Sequence, residues 1–585
     1  DYATVAGTNS LTFSGAVTNY NGNRYLNNVL TGSAVLNLTN TVNLSHDANA
    51  RILLIIGSGT TNISGVLKDS SSGTPTSSLY LRGATSAQLN LTATNTFTGN
   101  MLVERGTVTV STSAGSLNTI LATAGSGAIV RAGGILTLDN VVANNAAGRL
   151  AARSVNLEGG RLNMISNGLN STESVAVLRP YGNATINLSG TGTNTLTFAS
   201  LDFSTFTDPR SGLDVSATTG LASTNKLKFT NILGTSGAAS LIPRFFVTGS
   251  DFGAYDTANG VTTFAGYATP VDIDTALASD VVKVAAGTTG LTATANRTLR
   301  GLALTDTAPR TLASTANNTL TISSGAILAA GGVTHTLAIP RLNFVTTPSV
   351  TTTNASANVT TASTAGFAVG QVITGTGIPG NAFITGITNA TTFTISANAT
   401  ASGTVTATTY APAFVTVDTA TTLNLTGAVV SNSDLTKQGA GTLTVSRKQY
   451  YGGQTTILGG TLKLGAGDNT LWAGGSNLLN VETNGTLDLN GTTQLVGRLI
   501  SLGTASNAGG TITNTSATAA NFVTNMNGAS QTFMGAITGA NLSFTRIGGF
   551  TLEFGSAQTF GGATALAGGT LTLRDDGAFT NTSAI

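Results

Sequence analysis

Residues 459–464 read Gly459-Gly460-Thr461-Leu462-Lys463-Leu464, and the string returns as Gly568-Gly569-Thr570-Leu571-Thr572-Leu573. In an extended chain successive side chains point to opposite faces, so Leu462 and Leu464 share one face while Lys463 takes the other. The same apolar–polar–apolar triplet occurs at Val108-Thr109-Val110, Leu136-Thr137-Leu138, Leu196-Thr197-Phe198 and Leu320-Thr321-Ile322. It continues at Leu423-Asn424-Leu425, Leu443-Thr444-Val445 and Leu487-Asp488-Leu489. Strands this short, punctuated by Gly and Asn, cannot bury their apolar pairs alone. Stacked coil upon coil they can, and each coil then supplies its neighbour's backbone hydrogen bonds. The triplets predict an all-β fold, a parallel β-helix or β-solenoid. No amphipathic helical stretch competes with them.

Composition agrees. Only 9% of the 585 residues are charged, against roughly 25% in an ordinary soluble domain. Hydrophobic residues reach 41%, far above what a disordered chain carries. Thr favours strands, and Asn and Gly favour the turns between them. The net charge is +2 with no run of like charges, which argues against nucleic acid as a partner. A near-neutral surface also sets up little repulsion between copies. There is no cysteine, so disulfide, zinc-thiolate and cysteine-nucleophile chemistry are excluded together. The longest apolar run, Ile52 to Ile56, is far short of the roughly 20 residues a membrane-spanning helix needs. It reads as a buried strand. No signal peptide is visible at the start, so a leader is expected to have been cleaved ahead of Asp1 or the chain to begin within a longer protein.

A longer period overlies the triplets. The opening string is repeated at a shift of 109 residues (568 − 459), and Gly427-Ala428-Val429 returns as Gly535-Ala536-Ile537 at a shift of 108 (535 − 427). One segment breaks the texture: 348–410 opens at Pro348, ends at Tyr410-Ala411-Pro412 and contains the turn string Gly377-Ile378-Pro379-Gly380-Asn381. It reads as a small β-domain inserted into a solenoid loop, where insertions are tolerated. The expected organisation is solenoid over 1–347, insert over 348–410, and solenoid again over 411–585, continuing beyond 585 because no capping unit is recognisable.

The stretch Leu435-Thr436-Lys437-Gln438-Gly439-Ala440-Gly441-Thr442-Leu443, followed by Tyr450-Tyr451-Gly452-Gly453-Gln454-Thr455-Thr456-Ile457 and Gly459-Gly460-Thr461-Leu462, resembles the autotransporter-associated β-strand repeat, also called the passenger-associated transport repeat. A looser copy runs through Leu542-Ser543-Phe544, Gly548-Gly549-Phe550, Phe560-Gly561-Gly562 and Gly568-Gly569-Thr570-Leu571. A third runs through Leu89-Asn90-Leu91, Asn95-Thr96-Phe97-Thr98-Gly99-Asn100 and Arg105-Gly106-Thr107-Val108. The resemblance implies a right-handed parallel β-helix, exported to the surface of a Gram-negative bacterium.

Parallel β-helices also include polysaccharide lyases, which need clustered carboxylates for calcium and a basic residue to abstract a proton. The candidates are Asp272 with Asp274, expected on one strand face, Asp575 with Asp576, Asp208 near Arg210, and Glu158 near Arg161. No matching acids recur one coil away from the first pair, and Asp575-Asp576-Gly577 reads as a turn. His46, beside Asp47, and His335 are expected at the surface. Trp472 is the only tryptophan, and Tyr450 and Tyr451 are assigned to the structure of the repeat. Asn37-Leu38-Thr39 is a glycosylation string expected by chance in an Asn/Thr-rich chain. Gly439-Ala440-Gly441 lacks the lysine of a phosphate loop and precedes a strand. The expectation is therefore no catalytic, metal or cofactor site.

Three functions follow in order: a building block of an extracellular filament that self-associates, a monomeric surface adhesin using the insert as its head, and a polysaccharide-degrading enzyme. At roughly 20–25 residues and about 4.8 Å per coil, some 500 solenoid residues would make a rod on the order of 100 Å long. The partners expected are other copies of the chain, with cell-surface or matrix glycans or proteins next. The expected location is extracellular, at the bacterial cell surface.

Overall fold

Alternation along each strand decides how this chain is built. The computed structural model describes residues 2–584, apart from 118–126, 146–147, 151–152, 169, 203–210, 233–239, 270–271, 365, 432, 473 and 475–476. The chain is a parallel β-solenoid of about 22 turns, with 53% of it in strands and no α-helix among the described residues. It divides into two compact units. The first comprises Asp1–Asp202, Leu213–Gly237 and Tyr255–Thr262; the second comprises Phe203–Gly212, Ala238–Ala254 and Thr263–Ile585.

In the first unit Leu53 faces Leu79, and Leu79 faces Met101, so successive coils take 26 and then 22 residues. On the next face, Leu36, Thr61, Leu89, Val108, Leu136, Leu162 and Ile186 form one column of in-register neighbours. All are buried, and full burial of each aliphatic side chain stabilises by roughly 1.5–3 kcal/mol. Thr61, the polar member, has its hydroxyl met by Asn28 Nδ2 at 3.0 Å. Two residues on, the triplets' second apolar positions, such as Leu38, Ile63 and Leu91, form a parallel buried column. The residue between them faces out. There Asn90 Nδ2 donates to Asn62 Oδ1 (2.8 Å), Asn62 Nδ2 to Asn37 Oδ1 (2.9 Å) and Asn37 Nδ2 to Thr12 Oγ1 (3.2 Å). The polar member of the triplet thus builds a side-chain ladder along the coils.

A second ladder in this unit is ionic. Arg82, Glu104, Arg131 and Glu158 come from four successive coils and alternate in sign. Arg82 bonds Glu104, Arg131 Nη1 lies 2.7 Å from Glu104, and Arg131 Nε lies 2.9 Å from Glu158.

The second unit stacks Val281–Val284, Gly301–Leu304, Ala326–Ala329, Ala413–Val417, Leu435–Gln438, Thr455–Leu464 and Leu478–Asp488 in parallel. Ala326–Ala329 pairs directly with Phe414–Val417, and Thr334–Leu337 with Thr422–Leu425. The chain between leaves the coil and returns to the next one in register. That excursion is antiparallel. Ser349–Thr352, Asn358–Thr361, Ile384–Asn389, Thr392–Ile395 and Gly403–Thr406 form one sheet around Val350, Val359, Phe367, Ile384 and Phe393. Gln371 Nε2 ties it to the solenoid by donating to Ser323 O at 2.8 Å.

Candidate assembly surfaces

The repeat signature explains itself once its buried polar groups are followed. Lys437 is buried, and its Nζ donates to the carbonyls of Gln438 (2.9 Å), Gly439 (2.7 Å) and Gly459 (2.9 Å). These accept the full donor complement of an ammonium, while burial pulls its pKa down to about 7. One repeat later, 109 residues on, Arg546 is also buried, and its Nη1 donates to the carbonyls of Gly548 and Gly568. Those glycines are the counterparts of Gly439 and Gly459. A buried cation therefore clamps glycine turns of two successive coils in both copies.

An amide does the same at the next corner. Gln449 Oε1 accepts from Val429 N (2.8 Å) and its Nε2 donates to Gly427 O (3.2 Å) and Arg447 O (2.7 Å). Gln558 repeats this with Ile537 N (2.8 Å), Gly535 O (3.1 Å) and Ser556 O (2.7 Å). In the third copy Asn95 accepts from Leu67 N (3.0 Å) and donates to Ala93 O (3.0 Å). The glycines are steric requirements. Gly460 has φ +64° and a Cβ there would stand 2.3 Å from Gly441 O, closer than atoms pack. These locks were not singled out from the sequence; the cation and the amide recurring at the 109-residue shift were the available signal.

The candidate residues for catalysis do not converge. Asp272 and Asp274 do not share a strand face, as expected from their spacing, because Asp272 caps a 3₁₀ turn, Ile273–Thr275, and accepts from Asp274 N at 2.9 Å. Asp274 accepts from Thr294 Oγ1 (2.6 Å) and Arg297 Nε (2.7 Å), and the Thr294 hydroxyl above all holds its carboxylate below the ordinary range. Glu158 is paired with Arg131, while Arg161 Nε reaches Thr185 Oγ1 at 3.4 Å, so Glu158 and Arg161 serve different partners. Asp575 and Asp576 lie in a turn. Asp208 and Arg210 lie outside the described residues. Another buried carboxylate, Glu173, accepts from the backbone N–H groups of Arg149 (2.7 Å) and Leu150 (2.9 Å), and burial raises its pKa against those bonds.

His46 stacks on Tyr20 with ring centroids 3.9 Å apart and lies 3.3 Å from Asp47. His335 corrects the surface expectation: it is buried, with Nδ1 accepting from Arg310 N (3.2 Å) and Nε2 set 2.9 Å from Ala330 O. Those partners place the ring proton on Nε2. It occupies an inward slot, paired across the coils with Leu423. Tyr451 is buried, whereas Tyr450 is 57% and Trp472 43% exposed. No group of three or more His, Asp or Glu capable of holding a metal occurs among the described residues, and none of their helices is long and apolar enough to cross a membrane.

The first and last coils of the described residues are more exposed than the coils between them. Among the described residues Tyr2–Gly7, Leu11–Phe13 and Val17–Thr18 pair with Arg24–Leu30, Val35–Leu38 and Val42–Asn43. In the second unit Thr564–Leu566, Thr570–Leu573 and Ala578–Phe579 pair with the preceding coil, and Thr564 N also donates forward to Ala584 O at 2.8 Å. Leu11 and Phe13 are 40% and 43% exposed, while Leu36 and Leu38, their in-register neighbours one coil inward, are 0% and 2%. Leu573 is 45% exposed against 0% for its neighbour Phe554. The fold defines the chain as a parallel β-solenoid. No protein-family model, no curated protein and no solved structure matches it.

Proposed function

We propose that this chain is a non-enzymatic structural protein of the bacterial cell surface, a solenoid segment that joins end to end with other copies to build an extracellular filament. The observation that carries the reading is the in-register stacking of parallel coils, held by buried polar locks at Lys437, Gln449, Arg546 and Gln558 whose partners are the coils' own backbone groups. A coil end also presents unpaired backbone N–H and C=O groups, which template another strand. Two copies join by the same kind of parallel ladder that links coils within one copy. Head-to-tail joining of that kind does not close on itself and gives an open filament. The near-neutral surface leaves little charge repulsion to oppose it. The likeness of 435–464 to passenger repeats supports the cell-surface setting.

The test is electron microscopy of the purified chain beside a variant carrying Leu11→Asp and Phe13→Asp. Filaments from the parent and isolated particles from the variant, with unchanged circular dichroism, support the reading. Isolated particles from both at every concentration overturn it.

A further inference from the structure

The two repeat copies align without a gap from 435–464 to 544–573, and among the places where they differ are the exposed positions 447, 448 and 450. Gln449-Tyr450-Tyr451 corresponds to Gln558-Thr559-Phe560, and in the third copy to Asn95-Thr96-Phe97. The amide is the corner lock in all three, and the last residue is buried in all three. The middle residue is exposed in all three, and only here is it aromatic. The fold asks for nothing larger than Thr at that position. Arg447 and Lys448, both exposed, correspond to Ser556 and Ala557. One coil on, Trp472 falls where the second copy has Thr580-Asn581. This copy carries two exposed aromatics and two exposed cations where the second copy has smaller, uncharged residues.

Those additions meet in space. Tyr450 and Trp472 line one groove of about 240 Å³ with Lys448, Gln449, Asn469, Leu471 and Gly474. Neither Arg447 nor Lys448 has an ion-pair partner among the described residues, whereas Asp468 beside the groove is turned to Thr493 N, from which it accepts at 2.7 Å. The two cations outnumber Asp468, so the net charge next to these two flat, amphipathic rings is positive. Such rings give a large contact area at one end and a polar handle at the other. An exposed apolar patch with a polar rim marks a binding surface, and convergent polar groups fix what it takes.

We propose that the Tyr450–Trp472 groove is a binding site for an acidic polysaccharide. The rings lie against the C–H faces of successive sugar units, and Lys448 and Arg447 pair with their carboxylates. The groove has room for a short stretch of a chain, not for a folded partner, and the cations select a uronate over a neutral sugar. The assignment goes beyond the assembly role and does not depend on it, because the groove is remote in sequence from both coil ends.

The experiment uses the chain's single tryptophan, so fluorescence reads this groove and nothing else. Oligomers of alginate, a polyuronate, are titrated against the full chain, with dextran oligomers of equal length as the neutral comparison. Saturable change in Trp472 emission with alginate, weakened at least tenfold in Tyr450→Thr and lost at high salt in the parent, is the expected result. Arg447→Ser with Lys448→Ala should abolish the preference for alginate. These substitutions install residues the second copy already accommodates, so folding is expected to survive, and thermal melting checks that it does. No emission change with alginate, equal response to dextran, or full binding by folded Tyr450→Thr overturns the assignment.

Discussion

Residues 435–464 and 544–573 are the same device built twice, once with Lys437 and once with Arg546 as the clamp, once with Tyr450 and once with Thr559 on the outer surface. What they share lies inside: a buried cation on glycine carbonyls, a buried amide at the corner, Leu443 or Leu552 in the core. What separates them lies partly inside, as with Gln438 and Leu458 against Ile547 and Ala567, and partly outside, as with Tyr450 against Thr559. The comparison teaches that the repeat specifies coil geometry, and that individual function is written on residues the coil does not need. It also isolates the effect of stacking. Leu462 and Leu464 are covered by the coil that follows and are fully buried, while their counterparts Leu571 and Leu573 in the outermost coil are not.

The largest effect should come from removing the clamp. Lys437→Met leaves the carbonyls of Gln438, Gly439 and Gly459 without this donor, and buried acceptors left unmet cost about 1–3 kcal/mol each. Local hydrogen exchange over 435–464 should accelerate accordingly, while Lys437→Arg, which copies the other repeat, should lose less than half as much. Gln449→Leu comes next. It strips one acceptor and two donors from the corner and should cost on the order of 2 kcal/mol in the same measurement, leaving exchange around Gln558 unaffected.

The two clamps also differ in titration. Lys437 is lowered to about 7 by burial, below the value near 10.4 of an unfolded lysine. Between those values the unfolded chain binds the extra proton, so this group makes the fold more stable as pH rises from 7 to 10 and adds no slope below 7. An arginine stays protonated throughout, so Lys437→Arg should flatten that rise in urea unfolding followed by exchange at 435–464. The smallest effect is expected from Tyr450→Thr, within about 0.5 kcal/mol of the parent, since Thr559 and Thr96 hold the same position. A larger loss would make Tyr450 part of the coil and remove the contrast on which the groove rests.

Much of the solenoid was legible because a period-two alternation names the inward residues directly, and the 109-residue shift exposes coils that are copies. His335 was legible too, on the same rule: His335-Thr336-Leu337 is a triplet whose first inward slot holds a histidine, and residue type alone misplaces it at the surface. Asp272 and Asp274 were misread because spacing of two implies a shared face only in a strand. An aspartate that caps a turn breaks that premise by bonding its own backbone. The clamps were hidden for another reason. A lysine in Leu435-Thr436-Lys437-Gln438 looks solvent-facing until the glycine carbonyls that surround it are known, and one of them, Gly459 O, comes from the next coil. The pairing of Tyr450 with Trp472 likewise depends on coil length, which no single triplet encodes.

The central claim is that copies of the chain join to one another, and sedimentation velocity of the purified chain over a wide concentration range tests it most directly. The account predicts a sedimentation coefficient that climbs with concentration in the parent, and a single concentration-independent species for the Leu11→Asp, Phe13→Asp chain. A parent that sediments as one monomeric species throughout, or a variant that assembles as readily as the parent, would contradict it.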